Sequence, residues 1–176
     1  MTTADVSARL AWPDDAPAIV RVQLASWRAN GVVPEQEVDA LDPAELAERW
    51  ATLITAPQDA RLRVLVGLER ADVRGFALVH PSYDPDSDQV TDGEIGELVV
   101  DPAHQRAGHG SRLLQAAVDT LVADKFTRGR WWVGTTDDAL RAFVTESGWE
   151  PDGAHRELAG DSGGTVKQIR LHTTLA

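Results

Sequence analysis

The stretch Gln105-Arg106-Ala107-Gly108-His109-Gly110-Ser111 has the clearest chemical consequence in this chain. It runs into a segment where Leu113, Leu114, Ala117, Val118, Leu121 and Val122 recur at the spacing of one apolar helical face. The glycines therefore sit near the start of a helix, where amide N–H groups lack intrahelical partners and the peptide dipoles leave partial positive charge. An anion is the natural ligand of such an end. Gly108 and Gly110 let the backbone approach that ligand, and Ser111 adds a hydroxyl donor. Diphosphate oxygens fit a cradle of this kind. His104, Arg106, His109 and Arg112 surround it, a basic island in a chain with a net charge of -11.

Other ligand motifs fail on the residues themselves. A P-loop requires Gly-Lys-Ser/Thr, and no lysine follows Gly110. A dinucleotide fingerprint requires a third glycine where Leu113 stands. Asp84, Asp86, Asp88 and Asp92 suggest a calcium loop, but Gln89 occupies the glycine position and Ile95 the position of the bidentate glutamate. The acidic run reads instead as a solvated loop, with an electrostatic lip that draws in an amine as the alternative. His80, His155 and His172 show no metal-ligand spacing and read as surface or core histidines. No metal is expected.

The whole chain narrows the classes further. Its 176 residues suit one domain, 1–176. The acidic balance, 28 Asp and Glu against 17 Lys and Arg, argues against nucleic acid as a partner and modestly favours cationic ones. Without cysteine there is neither a disulfide framework nor a thiolate metal site. The first residues lack an apolar signal core, and no segment has the length to span a bilayer, so a cytoplasmic protein with no membrane partner is expected. Lack of cysteine also removes the commonest acyl-carrying nucleophile, so any acyl transfer should run directly from donor to acceptor.

These residues need elements to position them. Val6 to Ala11 reads as a strand, Pro13 opens a helix with Ile19, Val20, Leu24 and Trp27 inward, and Asn30-Gly31 stops it. Val32 to Leu41 reads as a loop. Asp42-Pro43 starts a second helix with Leu46, Trp50, Leu53 and Ile54 as its buried face. Alternation of Leu62, Val64, Val66 and Leu68 gives a strand from Arg61 to Leu68, Glu69 to Arg74 a turn, and Gly75 to His80 its antiparallel partner. In the strand from Glu94 to Val100, Ile95 is out of step with Leu98 and Val100, and Gly96 lies between. A bulge accounts for that slip. Arg130 to Thr135 is a strand and Asp137 to Ser147 a helix ended by Gly148. Trp149 to Leu158 and Thr165 to Leu175 are closing strands joined by the turn Gly160 to Gly164.

Gln105-Arg106-Ala107-Gly108-His109-Gly110 after Val100-Asp101-Pro102 resembles the signature of the Gcn5-related N-acetyltransferase (GNAT) superfamily, Gln or Arg, two residues, Gly, one residue, Gly or Ala, following an apolar strand. The resemblance is close from Glu94 to Leu114 and recognisable from Trp131 to Trp149; in the first half it rests on element order. It implies an α/β (α+β) fold, a mixed and mostly antiparallel sheet flanked by helices, with splayed parallel strands at the cofactor site. It implies acetyl-CoA or another acyl-CoA as cosubstrate, held by the backbone of Leu98, Val99 and Val100, the loop from Gln105 to Ser111, and Asp137. The chemistry implied is attack by a primary amine on the thioester, with Glu94 as base directly or through water, Glu97 as second choice on the other face unless the bulge reverses it, and the Val99 N–H at the oxyanion. Trp27 and Val33, with Ser26 and Val32, become candidates for acceptor contact.

Two positions depart from the family pattern. Asp137 stands where many members have asparagine, and Val144 where many have the tyrosine that protonates the thiolate. The only tyrosine is Tyr83. A catalytically weak acyl-CoA-binding regulatory module is therefore the second reading. A small-molecule or protein amine as acceptor, the acyl chain length and the oligomeric state stay open, a homodimer among the options.

Overall fold

Val64, Leu65, Val66 and Leu68 are all buried, so the alternation expected there is half of the pattern. That strand is covered on both faces, as a central strand between two layers of helix must be. The computed structural model describes residues 5–160 and 163–176. Its sheet has seven strands, β1 (Val6–Leu10), β2 (Arg63–Glu69), β3 (Asp72–Pro81), β4 (Asp92–Val100), β5 (Arg128–Gly134), β6 (Glu150–Ala159) and β7 (Thr165–Thr174), in the order β1-β2-β3-β4-β5-β7-β6. Only β4 and β5 pair in parallel; the other neighbours are antiparallel.

Helices α1 (Ala16–Asn30) and α3 (Pro43–Thr55) cover one face, where Ile19, Val20, Val22 and Trp50 pack on Val64, Val66 and Phe76. Helices α4 (His109–Ala123) and α5 (Asp138–Glu146) cover the other, where Leu113, Leu114, Ala117, Leu121 and Val144 pack on Leu65, Ala77, Val79, Ile95 and Trp131. The terminators act as expected. The Asp42 carboxylate accepts from the Ala44 N–H, and Gly31 ends α1 at φ 65°.

The expected loop from Val32 to Leu41 contains a short helix, α2 (Glu35–Asp39). Pro34 precedes it, Glu35 and Glu37 suit its first turn, and buried Val38 anchors it. The hairpin turn is tighter than expected, because β3 begins at Asp72 and Arg70 takes φ 56°. β2 starts at Arg63 rather than Arg61, whose guanidinium and backbone N–H both bind Asp59. The turn expected between β6 and β7 includes Asp161 and Ser162, which lie outside the described residues. Among those described, no helix is long and apolar enough to cross a membrane.

Candidate active site

The expected irregularity in β4 is a one-residue bulge. Leu78 pairs with Glu97 but Val79 pairs with Ile95, so Gly96 is the extra residue. Cross-strand partners share a face. Val99, Glu97 and Glu94 lie opposite Phe76, Leu78 and His80, and Phe76 and Leu78 belong to the α1/α3 face. Ile95 packs on the α4 face. The bulge thus does reverse Glu97, and both carboxylates stand on one face of the sheet.

A second irregularity adjoins it. The parallel ladder between β4 and β5 runs from Asp92 opposite Arg128 to Ile95 opposite Trp131 and stops there, although β4 continues to Val100 and β5 to Gly134. Beyond Ile95 the strands diverge, and β4 backbone groups that would have faced β5 lack ladder partners. An extended ligand arm can satisfy them.

Glu94 is 8% exposed and accepts a hydrogen bond from the Ser82 hydroxyl at 3.1 Å. Burial pushes its carboxyl above the usual range; His80 opposes this, Asp84 adds to it, and the Ser82 hydroxyl and Arg156 oppose it. Glu97 is raised by burial alone. Carboxyls raised in this way are stronger proton acceptors than ordinary surface acids.

At the head of α4, Arg106 and Gly108 both take positive φ, 60° and 88°. Alternating handedness of this sort turns successive N–H groups toward one point and forms an anion nest. A Cβ on Gly108 would meet nothing within 4 Å, so the space before the helix is open. Ala107, Gly108, Ser111 and Arg112 border a groove of about 750 Å³ that runs toward Val6 of β1. Gly110 faces Val100 and Phe143, both 3.7 Å from where its Cβ would be, so β4, α4 and α5 meet beside the point of divergence.

The basic island is smaller than expected. His109 is 1% exposed, and neither ring nitrogen has a hydrogen-bond partner among the described residues. Its imidazole packs inward beneath the helix start, so only its backbone belongs to the loop. His104 lies 3.3 Å from Asp101, leaving Arg106 and Arg112 as the exposed cations. Burial holds the His109 imidazole below its ordinary value. The folded chain therefore binds fewer protons there than the unfolded chain, and stability falls as pH drops through about 6.5, the unfolded value. His109→Leu should raise stability by about 1 kcal/mol at neutral pH and by more in acid. Thermal unfolding of both proteins across that range checks it; parallel curves would remove His109 from the account.

The acidic loop is pinned to the protein instead of being solvated. The face of β5 and β7 that helices leave bare carries Arg130, Trp132 and Arg170, and the residues between β3 and β4 fold over it. The Asp84 carboxylate accepts from Trp132 Nε1 at 3.0 Å and Arg170 at 3.1 Å. Asp86 accepts from Arg130 at 3.0 Å and from both terminal nitrogens of Arg170 at 2.7 Å. Buried Asp92 takes the Arg128 fork at 2.6 and 2.8 Å. Asp84, Asp86 and Asp92 are thus paired with cations in place, whereas Asp88 stays exposed and accepts from the Val90 N–H. Their loop carries Ser82 to Glu94, and Tyr83 onto His80, ring centroids 5.3 Å apart and nearly parallel.

Remaining candidates are more scattered. The Asp137 carboxylate caps α5 by accepting from the Leu140 N–H at 3.1 Å, and a carboxylate cannot donate a hydrogen bond as asparagine would. Val144 is fully buried in the core. Trp50 is also core, its Nε1 donating to Gln23 at 3.1 Å. Trp27 and Ser26 are half-buried in the last turns of α1, the helix that packs on β3 and β4; Val33 is half-buried and Val32 exposed just beyond. His80, expected as a surface or core histidine, lies opposite Glu94, because its place depends on cross-strand pairing that spacing alone does not reveal.

A bulge, a parting parallel pair and a helix start with positive-φ residues before it thus meet at one end of the sheet. A family model, the Acetyltransferase (GNAT) family, matches residues 24–149, and the chain belongs to that family. It is 37% identical over 108 residues to a mycothiol acetyltransferase of Kineococcus radiotolerans, a match covering 61% of this chain and 33% of that protein. The chain thus spans about a third of that relative. The fold is similar to yncA from Salmonella typhimurium, solved with its cofactor acetyl-CoA, at a TM-score of 0.72 and 19% identity over 97% of this chain and 94% of that one. It is also similar to a ribosomal-protein-alanine N-acetyltransferase from Brucella melitensis, at a TM-score of 0.74 and 18% identity over 96% and 99%.

Proposed function

We propose that this acetyltransferase moves the acetyl group of acetyl-CoA to a primary amine held on the α1 face of β4. The observation that carries the reading is the Gly96 bulge, which brings Glu94 and Glu97 onto one face beside the divergence of β4 and β5. The arrangement fits the cofactor. The nest at Arg106 and Gly108 suits the diphosphate, Arg106 and Arg112 add charge, and the free β4 edge from Leu98 to Val100 suits an amide-bearing arm. The Val99 N–H is the donor assigned to the oxyanion.

When bound, acetyl-CoA supplies a thioester carbon open to attack and a thiolate able to leave. The chain's part is to hold the amine and take its proton. Glu94, raised by burial and steadied by Ser82, takes a proton from the amine directly or through one water. Glu97 is the second acceptor on that face. No tyrosine stands at the position of Val144, so the thiolate is protonated from solvent.

Free-thiol release from acetyl-CoA with a panel of small amines, amino acids, polyamines and peptide N-termini tests the reading, beside a thermal shift with acetyl-CoA alone. The acceptor of the mycothiol acetyltransferase belongs in that panel. Amine-dependent release is expected. Stabilisation without release from any amine would favour a binding module, and no stabilisation at saturating acetyl-CoA would sink the cofactor site. Glu94→Gln should lower turnover about 100-fold with acetyl-CoA affinity intact, and the deficit should narrow as pH rises. A variant with the wild-type pH profile would remove Glu94 from proton transfer.

A further inference from the structure

His80 faces the bulge from the neighbouring strand β3. Its Nδ1 lies 2.7 Å from the Pro81 carbonyl oxygen, an acceptor only, so Nδ1 carries a proton and donates it. In the neutral ring the lone pair is then on Nε2. That nitrogen points at Gly96, where a Cβ would come within 2.7 Å of it. Any other residue at the bulge would displace the imidazole, so the glycine serves the ring as well as the backbone. Tyr83 stacks on the imidazole at an interplanar angle of 4° and holds the ring plane. Glu94 is the direct cross-strand partner of His80, and Glu97 stands on the same face beyond Gly96. The imidazole is thus oriented by a carbonyl, clamped by a phenol ring and flanked by the two carboxylates. A histidine that merely filled space would not need its free nitrogen aimed at the point where β4 leaves β5.

We propose that His80 Nε2 is the first proton acceptor of the transfer, the group that turns an ammonium acceptor into the attacking amine. This rests on the acetyltransferase reading above and adds a residue to it. An ammonium sheds two protons on its way to an amide. The first passes to the Nε2 lone pair, and the imidazolium so formed is held by the neighbouring carboxylates. The freed nitrogen pair then forms the bond to the thioester carbon, and the C–S bond breaks with its electron pair going to sulfur. Glu94 takes the second proton from that nitrogen. The thiolate regains one proton through solvent, and the other is released, so the sum is one amide, one thiol and one proton.

The charged and titratable groups around His80 are Glu94 and Glu97 on β4, Tyr83 and Asp84 in the covering loop, the Asp59–Arg61 pair behind Tyr83, and Arg156 of β6, which stacks on Trp132 and lowers the Glu94 carboxyl through its charge. None can replace an unprotonated nitrogen at Gly96. His80→Gln should therefore lower kcat/KM for a panel amine about 100-fold near pH 6. The deficit should shrink as pH approaches the amine's own pKa, where the ammonium no longer needs a base, and imidazole added to the buffer should restore part of the rate. Acetyl-CoA affinity should be unchanged. A deficit equal at every pH and deaf to imidazole, or no deficit, overturns the assignment. If His80→Gln fails to fold, the 15N imidazole spectrum of the wild-type protein decides: neutral His80 should carry its proton on Nδ1, and a proton on Nε2 overturns the assignment. If the wild-type protein releases no thiol with any amine, the acetyltransferase reading has failed and His80 falls with it; loss in His80→Gln alone concerns His80 only.

Discussion

Gly108→Val should weaken acetyl-CoA binding about 100-fold or more while leaving most of the fold's stability in place. Gly108 sits at φ 88°, a region that a β-branched residue enters only with strain of about 1–3 kcal/mol. Its Cβ would meet nothing of the protein within 4 Å, so the damage is not a core clash. Two consequences fall on the ligand. The new side chain projects into the space before α4, and relief of the strain turns the N–H groups of the nest away from their common point. Losing two charge-assisted hydrogen bonds of about 1.5–3 kcal/mol each already exceeds a hundredfold in affinity. Gly31→Val is the matched control, because Gly31 has φ 65° and equally open space but ends α1 far from the loop in sequence. Titration calorimetry with acetyl-CoA should separate them, Gly31→Val binding as the wild type does. Retained affinity in Gly108→Val would refute the cradle.

Local chemistry made much of this legible in the sequence. The glycine loop, the helix after it and the bulge at Gly96 each follow from residue types a few positions apart, and the structure bears out the bulge through the Leu78–Glu97 and Val79–Ile95 pairing. Glu97 shows the limit. Whether it joined Glu94 depended on the register of a strand whose partner lies far along the chain, and period-two counting cannot supply that register. His109 shows a different limit, since a histidine beside Arg106 reads as charge until its inward rotamer is known. Hidden in the same way was the fate of the acidic loop. Asp84, Asp86 and Asp92 look solvated because their cations, Arg128, Arg130 and Arg170, come from strands formed later in the chain. Long-range ion pairs leave no periodic trace.

Those cations set the second large effect. Arg170→Met should cost about 3 kcal/mol of stability at neutral pH. Arg170 keeps 7% side-chain exposure and binds Asp84 at 3.1 Å, Asp86 at 2.7 Å and Asp152 at 2.6 Å. Its removal leaves Asp84 and Asp152, themselves 13% and 16% exposed, without that cation. The sign with pH follows from the carboxyls. Hydrogen bonds from Arg170 and Arg130 hold Asp86 well below the usual carboxylate range, and Asp152 is lowered by the Ala154 N–H and Arg170 against its own burial. Their stabilisation is complete above about pH 4, the unfolded value, and is lost as pH falls through the folded ones. The gap between wild type and Arg170→Met should therefore be widest at neutral pH and close in acid. Urea midpoints at about pH 7 and about pH 3 check this, and an equal gap at both would mean that packing alone is lost. Turnover should suffer beyond stability. The loop fastened by Asp84 and Asp86 supplies the Ser82 hydroxyl to Glu94 and the Tyr83 ring to His80, whereas the nest at Gly108 lies on a different element. In conditions where the variant stays folded, kcat should fall while acetyl-CoA affinity holds, because a loosened loop frees the proton acceptors from their geometry and leaves the cofactor's cradle intact.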